Sequence, residues 1–114
     1  MTRNAAEPVY YISVAAKLVE MHPQTLRCYE RVGLVRPART QNNMRLYSDA
    51  DIERLRQIQR LTRAGLNLTG VEMVLNLLER METMRRELEA EMGRRLEEME
   101  REIHWLRRRA AAGE

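Results

Sequence analysis

Apolar residues recur along this chain at spacings that switch between helical and extended, and the switches mark its elements. Val14, Ala16, Leu18 and Val19 follow Ser13, an N-cap residue type, and predict a short first helix that closes at Glu20-Met21-His22. Pro23 suits the first turn of a helix, where its missing N–H costs nothing. A second helix is therefore expected from Pro23 to Val32, with Gly33 as its stop. Leu26, Tyr29 and Val32 bracket one side of it, and most of Gln24, Thr25, Arg27 and Arg31 lie elsewhere. Two helices joined by a turn of about three or four residues match a helix-turn-helix. Glu20 stands where many such turns carry glycine, so slight backbone strain is expected there.

Leu34-Val35-Arg36-Pro37 and Met44-Arg45-Leu46-Tyr47 flank a polar tip, Ala38 to Asn43, and read as a small hairpin or wing. Ser48-Asp49-Ala50-Asp51 is a capping box, with Asp51 in place of the usual Glu. It opens a third helix that turns Ile52, Leu55, Ile58 and Leu61 inward and ends near Gly65. Asn67 caps a fourth helix with Leu68, Val71, Val74, Leu75 and Leu78 as its stripe.

From Leu77 onward the apolar positions are Met81, Met84, Leu88, Met92, Leu96, Met99, Ile103 and Leu106, in steps of three and four. That is the seam of a coiled coil. A run of fours through Met92-Gly93 departs from heptad register and predicts a local bend. A stripe this long, densely charged on both flanks, is expected to pair with a second copy rather than fold back on its own head. The expected fold class is mainly α: a winged helix-turn-helix head with a C-terminal coiled-coil dimerisation helix. The expected division is a flexible arm over 1–9, the head over 10–79, the coil over 80–110 and a tail over 111–114.

Composition agrees with helix: Phe is absent, while Leu, Met, Glu and Arg abound. No stretch is apolar enough to span a bilayer, and Met1 to Pro8 lacks the core of a secretory signal, so a cytoplasmic, nucleoid-associated protein is expected. Cys28 is alone, and His22 and His104 lie far apart, which leaves no disulfide and no metal-spaced ligand set. Cys28 reads as packing or surface rather than a redox sensor, His22 as a helix-start residue, and the methionines as core and seam. Trp105 adjoins the seam. No phosphate-binding glycine loop or nucleophile arrangement supports an enzyme, and no cofactor is expected.

Charge is unevenly spread. Between His22 and Arg63 nine basic residues face four acidic ones, whereas from Glu79 to Arg109 nine Glu and nine Arg cancel. A cationic head beside a charge-alternating stalk points to double-stranded DNA as the partner. Arg27 and Gln24 can make bidentate contacts to guanine and adenine edges. Thr25 and Arg31 on the same helix, and Arg39, Asn43, Arg45 and Tyr47 on the wing, can reach phosphates or the flanking groove. Tyr29 and Tyr47 fit semi-buried packing as well as a phosphate contact.

Tyr11 to Leu18, Pro23 to Leu34 and Arg45 to Leu55 together resemble the MerR family of transcription regulators in order and spacing, and the likeness covers roughly residues 10 to 80. Met21-His22-Pro23-Gln24-Thr25-Leu26-Arg27 and Asn67-Leu68-Thr69-Gly70-Val71-Glu72 are similar to the heat-shock repressors of that family. The resemblance implies a homodimer held by an antiparallel coiled coil, with each head on half of an inverted repeat. It implies Gln24, Thr25, Arg27 and Tyr29 as recognition-helix contacts, and Arg45 and Tyr47 as wing contacts. It further implies repression of chaperone genes with a DnaK-type chaperone as co-repressor. Cys28 replaces a tyrosine that many members carry, so one contact is expected to be missing. The sequence shows no metal-binding cysteine loop or drug-binding domain after the coil, which agrees with sensing through a protein partner. Two alternatives stay open: a regulator of another regulon, such as nitrogen or drug response, and a co-chaperone-binding module that does not touch DNA.

Overall fold

The computed structural model describes residues 4–113; the start of the expected arm and the last residue of the expected tail lie outside them. Three short strands, β1 (Pro8–Tyr11), β2 (Ala38–Arg39) and β3 (Arg45–Ser48), form an antiparallel sheet in the order β1-β3-β2. β2 and β3 pair as a wing, with Ala38 opposite Leu46 and Arg39 opposite Arg45, but its first strand lies in the stretch expected as the polar tip. Leu34-Val35-Arg36-Pro37 forms no strand, because Leu34 and Val35 pack into the core. At its tip the Thr40 N–H donates to the Met44 carbonyl at 2.9 Å, and Asn43 takes a left-handed φ of 60°, which Asn tolerates. β1 begins inside the stretch read as an arm. Pro8 can open it because an edge strand tolerates the missing N–H, and Val9-Tyr10-Tyr11 has strong strand propensity.

β1 hands over directly to α1 (Ile12–Val19), so the helix starts at Ile12 with Tyr11 as its N-cap, and Ser13 supplies no cap. Ala15, Ala16 and Val19 face the core, whereas Val14 and Leu18 lie outside. The helix closes on Glu20 in the left-handed conformation (φ 55°), with the Met21 N–H donating to the Ala16 carbonyl at 3.0 Å. The strain expected at Glu20 is therefore present. His22 opens α2 (Pro23–Arg31): its Nδ1 accepts the Gln24 N–H at 3.0 Å, which places the ring proton of the neutral imidazole on Nε2. Leu26 is fully buried. Gly33 (φ 82°) ends the helix in a Schellman motif, with Leu34 N–H to the Tyr29 carbonyl at 2.9 Å and Gly33 N–H to Glu30 at 3.0 Å.

α3 (Asp49–Arg63) is the scaffold. Ser48 and Asp51 exchange hydrogen bonds of 3.0 and 2.9 Å in the expected capping box, and Ile52, Leu55 and Ile58 are buried, with Leu61 half-buried. Its polar side chains tie down the helix-turn-helix. Gln59 Nε2 donates to the Val19 carbonyl at 3.1 Å, which satisfies a terminal carbonyl of α1, and Arg54 Nε donates to Leu34 at 2.8 Å just past α2.

α4 (Leu68–Ala112) is a single helix of 45 residues, opened by Asn67, whose Oδ1 accepts the Gly70 N–H at 2.8 Å. The irregular register at Met92-Gly93 does not interrupt it. The chain divides into two units, Met1–Glu72 and Met73–Glu114. The first holds the sheet, α1 to α3 and the first turn of α4, with Val71 buried. In the second, the seam residues from Leu77 to Leu106 are all exposed, from 45% at Ile103 to 65% at Met92. Arg85 pairs with Glu82 and Glu89, and Arg95 with Glu91, along the flanks, and the Arg109 guanidinium lies 5.1 Å from the Trp105 ring. Among the described residues no helix is long and apolar enough to cross a membrane.

Candidate nucleic-acid interface

The first unit brings α2 and the wing to one cationic face. Arg27 and Arg31 from α2, Arg39 from β2 and Arg45 from β3 line an open cleft of about 420 Å³, together with one carboxylate, Glu30. Gln24 is exposed one turn before Arg27, and its Oε1 accepts from Arg27 Nη1 at 3.2 Å. The two side chains read as base contacts thus sit side by side. Thr25 and Tyr29 are half-buried on the same helix, and Arg31 is exposed. Asn43 is exposed at the wing tip, and its carbonyl accepts from Arg39 Nη1 at 3.1 Å, which stiffens the tip.

Tyr47 does not join this face. Its side chain is 0% exposed, and its hydroxyl has no hydrogen-bond partner among the described residues. Arg45 and Tyr47 are two residues apart on β3, yet Arg45 stays partly exposed while Tyr47, near the strand's junction with α3, is fully buried in the core. Burial, then the negative charge of Glu30, pushes the Tyr47 phenol up, and burial does the same for Tyr29.

Glu30 is the residue that sequence reasoning passed over. It anchors the wing to α2: Oε2 accepts from Arg39 Nη2 at 3.0 Å, and Oε1 accepts from Arg45 Nε. Burial would raise its pKa, but the Arg45 hydrogen bond and the charges of Arg45 and Arg39 hold it below the usual glutamate value. A signal existed, since Glu30 is the only carboxylate between Glu20 and Asp49 in an otherwise basic stretch. Cys28 is a free, half-buried thiol, and no cluster of metal-ligating side chains occurs among the described residues.

The profile of the MerR HTH family regulatory proteins matches residues 10–78. The chain belongs to the MerR family. Among MerR relatives, the heat shock protein HspR of Streptomyces coelicolor is 55% identical over 71 residues, covering 61% of this chain and 47% of its own. The chain thus spans about half the length of that relative. A solved MerR-family regulator from Bacillus cereus superposes with a TM-score of 0.56 at 28% identity, over 75% of this chain and 70% of its own. HiNmlR, a MerR-family regulator lacking the sensor domain and solved bound to promoter DNA, gives 0.55 over 91% of this chain and 90% of its own. At 24% identity, that likeness concerns the fold alone. The matching profile describes helix-turn-helix regulatory proteins, and the solved Bacillus cereus relative is described as a transcriptional regulator. The winged helix-turn-helix with a long C-terminal helix, expected from apolar spacing, is the fold observed.

Proposed function

We propose that this MerR-family protein is a sequence-specific repressor of heat-shock and chaperone genes that binds inverted-repeat operators in double-stranded DNA as a homodimer. The observation that carries the DNA contact is the convergence of Arg27, Arg31, Arg39 and Arg45 on the face that also presents Gln24. In this reading α2 enters the major groove, Gln24 and Arg27 meet base edges, and Thr25, Tyr29, Arg31, Arg39, Asn43 and Arg45 grip the backbone. Tyr47 drops out of the contact set. The exposed seam from Met81 through Met84, Leu88, Met92, Leu96, Met99 and Ile103 to Leu106 pairs with a second copy as an antiparallel coiled coil, so that two heads engage two half-sites.

The heat-shock assignment is supported by the 55% identity to HspR across 71 residues. We extend it to a DnaK-type chaperone as co-repressor, docking on the coil or on Arg107-Arg108-Arg109. Footprinting upstream of chaperone operons tests the whole: protection of an inverted repeat is expected, and protection of none overturns it. The second reading, control of another regulon, follows from the match covering only part of the chain. Genome-wide occupancy before and after heat shock separates the two, because they place the protein on different promoters.

A further inference from the structure

Glu30 is out of keeping with the face it occupies. A surface meant to attract phosphate gains from every unpaired guanidinium, yet this carboxylate sits among four and engages two of them. Those two, Arg39 and Arg45, face each other across the wing as register partners, so one α2 side chain clasps both strands of the hairpin at once. The clasp is partly sheltered: side-chain exposure is 19% for Glu30, 25% for Arg45 and 38% for Arg39. Arg39 is held from the other side too, through its bond to the Asn43 carbonyl. Both guanidinium groups are therefore fixed in place and partly neutralised before any partner arrives.

Two consequences follow from general electrostatics. Affinity for arbitrary duplex DNA grows with the number of phosphates neutralised, because each contact releases condensed counterions. Arginines that must exchange one anion for another contribute less of this indiscriminate attraction than arginines with no partner. Side chains locked in one geometry also meet phosphates only where the backbone runs in the matching position, which happens when α2 is seated in its groove. We infer that Glu30 is a specificity-setting positioning residue: it holds the wing arginines against the recognition helix and masks them, lowering attraction to non-operator DNA more than binding to the operator. The inference rests on the reading of this face as a duplex-binding surface.

The test compares the full chain, Glu30→Gln and Glu30→Asp on two duplexes: one selected by the wild-type protein from a random library, and a scrambled duplex of the same composition. Affinities are measured over a salt series. For Glu30→Gln the expected result is several-fold tighter binding to the scrambled duplex, with a log–log salt slope steeper by about one. The ratio of selected to scrambled affinity should fall by roughly tenfold. Glu30→Asp, which keeps the charge, should recover the wild-type slope and most of the ratio. A second pair keeps the test independent of any folding defect. Arg39→Gln should lower scrambled-duplex affinity modestly in the wild-type background, where Glu30 masks the guanidinium, and several-fold more in the Glu30→Gln background. Equal weakening on both duplexes at the wild-type salt slope would mean that Glu30 merely supports the fold, and would overturn the inference; so would an equal effect of Arg39→Gln in both backgrounds. Wild-type protein that shows no salt-dependent duplex binding overturns the DNA reading itself, and this proposal with it.

Discussion

Arg27 and Gln24 are the residues on which sequence discrimination is expected to turn, and the hydrogen bond between them pre-aligns two bidentate groups on one turn of α2. Arg27→Ala should weaken binding to the selected duplex by about 1–3 kcal/mol while changing scrambled-duplex affinity far less. An equal loss on both duplexes at fixed salt would make Arg27 a phosphate contact. Tyr47 behaves differently. A buried hydroxyl without a partner costs stability, so Tyr47→Phe should raise stability by about 1 kcal/mol and leave DNA affinity unchanged. A lower denaturation midpoint in that variant would reveal a partner for the hydroxyl. Glu30 adds a pH dependence with a definite sign. Arg39 on β2 and Arg45 on β3 hold its folded-state pKa below the ordinary 4.5, with Arg27, Arg31 and Tyr47 nearby. The clasp therefore contributes stability that is fully present above that value and is lost as pH falls through the lower folded-state pKa. The stability gap between the wild-type chain and Glu30→Gln should accordingly be wide near pH 7 and close in the acid range. A gap of constant width would remove Glu30 from the acid transition.

At the scale of elements, the two units are stabilised by different means. The head has a true core, in which Leu26, Leu55 and Ile58 are sealed off from solvent, whereas the seam of the second unit is left uncovered. The ion pairs on its flanks are exposed and screened by salt, so they decide little. Burying a side chain such as Leu96 against a partner contributes about 1.5–3 kcal/mol, and the stripe repeats that contact along its length. Leu88→Asp with Leu96→Asp is thus expected to convert a dimer to a monomer in analytical ultracentrifugation while helix content stays nearly constant. A wild-type chain that sediments as a monomer would sink the pairing reading. The same contrast explains what was legible beforehand. Long apolar periods, Pro23 at a helix start, Gly33 at a helix stop and the Ser48–Asp51 box are local signals, and the helices appear where those signals place them. β1 was missed because four residues with a leading proline carry no period of their own and acquire strand geometry only by pairing with β3. The Tyr47 orientation and the Glu30 clasp were hidden for the same reason: both depend on which way a hairpin leans across a helix, and nothing in local spacing encodes that.

Across the whole molecule, division of labour runs along the chain: residues up to Glu72 carry the cationic face, and the stretch beyond carries the uncovered stripe. The joints inside the head are short. Ser48 is at once the last residue of β3 and the N-cap of α3, buried to 5% exposure, while Gln41 and Asn42 at the far end of the wing are open to solvent. One extra alanine between Ser48 and Asp49 would separate the strand register from the cap and turn the core face of α3 by about 100° relative to the sheet. Its expected effect is loss of cooperative melting and of duplex binding. The same alanine between Gln41 and Asn42 should leave melting within about 0.5 kcal/mol of wild type, and equal damage from both insertions would contradict this. The head thus has one seam where length can change and one where it cannot. A spectroscopic label for following folding can therefore sit at the wing tip, at a cost only to the contact proposed for Asn43, whereas the strand-to-helix junction tolerates no change of length.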